Sequence, residues 1–190
     1  MKKARGIIMS PAMAKAVWDG RKTQTRRLAS SKFMASVKPG DALYVRERFR
    51  LEVQFDDLPP NYLLSTGYKS TPVWYGADGE PPSRSPWDRP YGKLRPSIHM
   101  PRWAGRMMLH VTEVRTEMLH AITEADAKAE GAQRVPEIGN SYRAGFRDIW
   151  DGLHGAKPDA CWTANPDVIA LTFRVEKITK QSLTGGHREN

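Results

Sequence analysis

The order of the strand-like segments limits the fold of this chain more than any single motif does. ARGIIMS (4–10) is short and apolar enough for a buried strand, and SPAMAKAVWDG (10–20) follows as a helix. ALYVRERFR (42–50) alternates Leu43, Val45, Glu47 and Phe49 against Tyr44, Arg46, Arg48 and Arg50, the pattern of a half-buried strand. A further strand is expected around TPVWYGA, and another in GRMMLHVTEVRTEML (105–119), with Met107, Leu109 and Val111 on one face. Two helices come next, and DVIALTFRVEKI (167–178) closes the series as a strand. The strands are few and widely spaced, and helices do not alternate with them. That excludes a doubly wound parallel sheet and predicts an α+β fold, a small mixed β-barrel with flanking helices.

Local signals mark the boundaries. Ser10 is placed to cap the first helix, Pro11 stands at its first position and Gly20 at its stop, with Met13, Ala16, Val17 and Trp18 as its apolar face. TEADAKAEGA (123–132) opens with Thr123 three residues before Asp126, a capping-box variant, and ends at Gly131. SYRAGFRDIWDGLHG (141–155) sets Tyr142, Phe146, Ile149, Trp150 and Leu153 at helical spacing. Residues 53–95 are rich in Pro, Gly and Asp and have too few apolar residues for a core of their own. They read as a loop-rich insertion, so residues 1–180 are expected to form a single domain, with 181–190 as a flexible tail.

The chain has 190 residues, and Lys and Arg exceed Asp and Glu to give a formal charge of +9. Such an excess suits a polyanionic partner, with RNA or DNA the simplest. Cys161 is the only cysteine, so an intrachain disulfide is excluded. No apolar run approaches the length of a bilayer span, and no apolar leader follows Met1. These features predict a cytoplasmic protein with no membrane contact. They do not define its oligomeric state.

The five histidines show no metal-ligand spacing, and no Walker, dinucleotide or nucleophile-elbow motif is present, so neither a metal nor a cofactor is expected. What stands out is GRKTQTRRL (20–28). As an extended strand, Lys22, Gln24 and Arg26 share one side, and Arg21, Thr23, Thr25 and Arg27 the other. As a turn or helical continuation, Lys22 and Thr25 meet on one face. A Thr hydroxyl attacks only when a base takes its proton, and a Lys can do so if burial or nearby cations lower its pKa. A phosphate-contacting patch and a plain solvated face are the competing readings.

The strings SPAMAKAVWDGRKTQTRR, KPGDALYVRE, RPSIHMPRWAGRMMLHVTEVRTEMLHAITEADAKAEG, YRAGFRDIWDGLHG and NPDVIALTFRVE resemble the ASCH-domain proteins of bacteria, phages and prophages. The resemblance covers residues 5–178 and is weakest over 53–95. It implies a PUA-like fold and, for one branch of the family, an N4-acetylcytidine amidohydrolase. The family's Lys, the Thr three residues later and the distant Glu then correspond to Lys22, Thr25 and Glu130. Arg21 and Arg27 become candidates to stabilise the oxyanion or hold substrate, Tyr44 and Trp103 candidates to stack on the base, and Arg46 a further substrate-binding candidate. The expected substrate is a modified nucleoside, free or in a nucleic acid. Two features depart from that branch: the long insertion and the strong positive charge. The alternative is an RNA- or DNA-binding module, with or without ribonuclease activity, whose backbone track runs over Arg46, Arg48, Arg50, Arg102 and Arg106. A third reading is a phage accessory protein with a vestigial pocket.

Overall fold

A computed structural model describes residues 5–65, 68 and 71–178. The expected tail, 181–190, lies outside the described residues. The elements are strand β1 (Arg5–Ile8), helix α1 (Pro11–Trp18), strand β2 (Gln24–Leu28), helix α2 (Lys32–Ala35), strands β3 (Ala42–Arg46), β4 (Phe49–Arg50), β5 (Trp74–Tyr75) and β6 (Met107–Met118), helices α3 (Glu124–Ala129) and α4 (Tyr142–His154), and strand β7 (Asp167–Lys177). Short 3-10 turns fill the connections. The class is α+β. Five strands form one sheet in the order β1-β3-β6-β7-β2, and β4 pairs with β5 in a two-stranded ribbon. The expected barrel is not formed: among the described residues the larger sheet stays open, with β1 and β2 at its two ends. These end strands have only four and five residues, little ladder for the tilted, staggered closure a barrel needs. No helix among the described residues is long and apolar enough to cross a membrane.

By compactness the described residues divide into two units, one holding 5, 15–43 and 109–176, the other 6–14, 44–65, 68, 71–108, 177 and 178. In the first, Leu119, Ile122, Ala127, Ala132, Phe146, Trp150 and Val168 form a buried cluster. On α4 the buried stripe runs through Phe146 and Trp150, four residues apart, whereas Leu153, expected on the same face, is exposed in the last turn. β7 is buried continuously from Val168 to Leu171, as for a strand covered on both faces. Its antiparallel partner β2 sets Thr25 opposite Leu171 and Arg27 opposite Ile169.

Caps fix where α3 and α4 begin. The Thr123 hydroxyl accepts from the Asp126 amide at 3.0 Å while the Asp126 carboxylate accepts from the Thr123 amide at 3.3 Å, so the capping box is complete. Glu124 then accepts from the Ser141 hydroxyl at 2.5 Å and the Tyr142 amide at 2.7 Å, which ties the two helix starts together. The Ser141 hydrogen bond leads in holding the Glu124 carboxyl below its ordinary range.

In the second unit Phe49, Leu51, Phe55, Leu63, Tyr75, Met100 and Ala104 are packed together, so residues inside and flanking 53–95 share one cluster. The face expected of ALYVRERFR is buried throughout, at Leu43, Val45, Glu47 and Phe49, although the strand breaks between Arg46 and Phe49. Glu47 is the charged member of that face. The Arg106 guanidinium grips it with two 2.9 Å hydrogen bonds, also binds Asp78 at 2.6 and 3.0 Å, and lies 3.9 Å from the Tyr75 ring centroid. Burial pushes the Glu47 carboxyl up, and Arg106 opposes that shift. Arg106 is thus a buried structural cation, which removes it from the phosphate track expected of it.

Candidate active site

Lys22 is positioned by backbone bonds from three elements of the first unit. Gly20, at φ +75°, ends α1 in a conformation that favours glycine. The Lys22 amide then returns to the Ala16 carbonyl at 3.0 Å, the Thr23 amide bonds the Ala129 carbonyl of α3 at 2.8 Å, and the Thr23 carbonyl accepts from Phe173 of β7 at 3.0 Å. From Gln24 onward the chain is strand, so the extended reading holds for 24–28 and Lys22 precedes it. On the other wall Gly131 follows Glu130 at φ +83°, where a Cβ would stand 3.1 Å from Ala16 Cβ and 3.2 Å from Lys22 Cβ. The backbone angle favours glycine there, and the space beside it is tight.

The run expected to compete with a solvated face is largely inside. Lys22 and Arg26 are each 2 % exposed, Thr25 is fully buried and Glu130 is 3 % exposed. Lys22 Nζ donates to Glu130 Oε2 at 2.6 Å and to the Glu130 carbonyl at 2.8 Å. The other oxygen, Oε1, accepts from Arg26 at 3.2 Å. Arg26 also donates to Glu117 Oε1 from Nε at 2.9 Å and from a terminal nitrogen at 2.7 Å, and pairs with Asp126 at 3.3 Å. Thr25 Oγ1 accepts from Arg27 at 2.8 Å, and the same nitrogen of Arg27 reaches the Arg26 carbonyl. Among the described residues no hydrogen bond joins Lys22 to Thr25. The contact expected of a Lys base with a Thr nucleophile is not made, and Nζ is bonded to Glu130 instead.

The electrostatics of the cluster have definite signs. Burial lowers the Lys22 pKa most; Glu130 raises it, while Arg27 and Arg26 add to the lowering, and the net direction is down. Burial also lowers Arg27, against the pull of Glu130. A proton shared across 2.6 Å between Nζ and a carboxylate can rest on either atom. Moving it to Glu130 yields a neutral amine and a carboxylic acid in one step. Arg27, donating to the Thr25 oxygen, is placed to stabilise any negative charge formed there.

The other expected residues are placed as follows. Arg21 is exposed, 3.3 Å from Asp19. Tyr44, Arg46 and Trp103 belong to the second unit. There the Tyr44 and Arg46 side chains lie against Gly6, leaving no room for a Cβ, and Arg46 Nε is buried without a partner among the described residues. Trp103 packs against the apolar cluster and donates from Nε1 to the Pro60 carbonyl at 3.2 Å. Arg26 was expected from the sequence only as a cation near Lys22; Glu117 and Asp126, the carboxylates that hold it, were missed. The alternation of QTRRL put Arg26 opposite Thr25, but nothing local showed which distant carboxylates would meet it. No group of three or more potential metal ligands occurs among the described residues.

No family model matches the chain, and no curated protein matches it. Among solved structures it is similar to the crystal structure of protein EF3133 from Enterococcus faecalis V583, described with the family model DUF984. The TM-score is 0.48 and the identity 10%, over 100% of this chain and 88% of that one.

Proposed function

We propose that the protein is an ASCH-type, PUA-like amidohydrolase that removes an acyl group from the exocyclic N4 of cytidine or a related modified nucleoside, without a metal. The observation that carries this reading is the buried Lys22–Glu130 bond at 2.6 Å between residues 108 positions apart, with Thr25 three residues from the lysine. The sequence resemblance singled out the same three residues.

The chemistry follows from the sharing of one proton. Once its proton has passed to Glu130, neutral Lys22 turns Nζ from that carboxyl to Thr25 and takes the hydroxyl proton as Oγ1 attacks the acyl carbon. Arg27 steadies the developing negative charge. The C–N bond then breaks, Glu130 gives its proton to the leaving N4 amine, and the acyl group stays on Thr25 as an ester. Water attacks that ester, Glu130 takes a proton from it, and Lys22 returns its proton to Thr25 Oγ1. The carboxylic acid leaves and the starting state is restored. Arg26 lies outside this exchange: by holding Glu130 Oε1, it fixes the carboxyl so that Oε2 faces Lys22.

The test is turnover of N4-acetylcytidine by the purified protein. Cytidine and acetate should appear in equal amounts. Thr25→Ala, which removes a single hydroxyl, should reduce the rate by a factor on the order of 10³ or more. A wild-type protein with no activity on any N4-acylated cytidine would sink the proposal.

A further inference from the structure

Arg21, Lys128, Gly131, Gln133, Arg134 and Tyr142 line a cleft of about 370 Å³ in the first unit. That is the small end of the range for ligand sites. Three of its side chains are cations, and among the described residues no carboxylate lines it. Arg21 shares its charge with Asp19 at 3.3 Å. Lys128 and Arg134 are exposed, and among the described residues neither takes part in an ion pair; both turn instead to the ring of Tyr142. The Arg134 guanidinium carbon is 4.8 Å and Lys128 Nζ 6.0 Å from its centroid. A ring orients cations but leaves their charge uncancelled. The opposing field is small: the C-terminus of a helix carries at most about half a negative charge, and α3 has only six residues.

The cleft also adjoins the buried cluster through the backbone. Arg21 immediately precedes Lys22, and Gly131 immediately follows Glu130. Gly131 approaches so closely that a Cβ would crowd Lys22. An anion held by Arg21, Lys128 and Arg134 therefore sits on chain that directly carries the Lys22–Glu130 pair. A free nucleoside has no anionic group to pair with these cations. A phosphate ester does, and guanidinium groups suit it best.

We propose that this cleft binds the phosphate of a nucleotide, so that the acylated cytidine taken by the Lys22–Thr25–Glu130 cluster is a phosphorylated one, as a mononucleotide or within an RNA strand. The substrate clause rests on the hydrolase reading; the phosphate site is tested without it.

Calorimetric titrations with cytidine, cytidine 5′-monophosphate, inorganic phosphate and a short single-stranded RNA serve, since none carries an acyl group and none is turned over. The full chain is compared with Lys128→Glu, Arg134→Glu and, as a control of equal charge change elsewhere, Lys32→Glu. All three side chains are exposed, and thermal melts check folding. The monophosphate or the RNA should bind about tenfold or more tighter than cytidine, and each cleft reversal should weaken that ligand by about tenfold, against about twofold or less for Lys32→Glu. Tight binding of the monophosphate identifies a mononucleotide site, and tight binding of RNA alone identifies a strand. Equal affinity for cytidine and its monophosphate without RNA binding overturns the proposal. So does tight binding of a phosphorylated ligand that survives both reversals, or no binding of any phosphorylated ligand. If phosphate binds as expected but no acylated cytidine is hydrolysed, the cleft stands and the substrate clause falls.

Discussion

Lys22 places its charge at one oxygen of Glu130, and Arg26 holds the other. Truncating one partner of such a buried pair leaves the rest uncompensated, whereas removing both can be nearly neutral. Lys22→Met should therefore cost about 3–5 kcal/mol in urea unfolding, and Lys22→Met/Glu130→Met clearly less than the sum of the two single losses. Strict additivity would contradict the pairing. A pH effect follows from the same residue. The folded Lys22 has its pKa pulled below the ordinary 10.5, so between its folded value and 10.5 the unfolded chain binds more protons. Raising the pH through that window should stabilise the wild type relative to Lys22→Met. A flat difference between their stability curves up to pH 10.5 would show that burial leaves Lys22 undisturbed.

Elements explain which parts of this molecule can be read from its sequence. The starts of α3 and α4 were legible because Thr123, Asp126 and Ser141 act within one turn of their own backbone. The face of ALYVRERFR was legible because alternation is local, down to the buried Glu47 just past β3. What escaped reading depends on meetings at long range: Arg106 with Glu47 and Asp78, Arg26 with Glu117 and Asp126, and the openness of the five-stranded sheet. Of the site, Lys22 and Thr25 stood out by their spacing in GRKTQTRRL, and Glu130 came from resemblance to a motif. Their hydrogen-bond partners could not, since a strand pattern states which side a residue faces and not what waits there. Two substitutions test the elements. Thr123→Ala removes the α3 cap and should cost about 1 kcal/mol in equilibrium unfolding. Gly145→Ala on α4 should be far worse, because a Cβ there stands 2.0 Å from the Gln133 carbonyl oxygen. Near-wild-type stability of Gly145→Ala would contradict that helix placement.

At the scale of the whole molecule, the charge of +9 divides into cations of two kinds. Lys22, Arg26 and Arg106 are buried and matched by carboxylates, and they build the interior. Lys128 and Arg134 are exposed in the cleft and available to a ligand. The number of Lys and Arg alone therefore overstates the basic surface, whereas the net charge, from which such pairs cancel, does not. Exposed cations acting on phosphates give salt-dependent binding, so any RNA affinity should fall steeply between 50 and about 200 mM salt. The central claim concerns the buried group, and its most direct test is hydrolysis of N4-acetylcytidine by wild type and Thr25→Ala side by side, with both shown to be folded. The account predicts stoichiometric cytidine and acetate from the wild type and almost none from Thr25→Ala. Equal rates from the two proteins, or no product from the wild type with any N4-acylated cytidine, would contradict it.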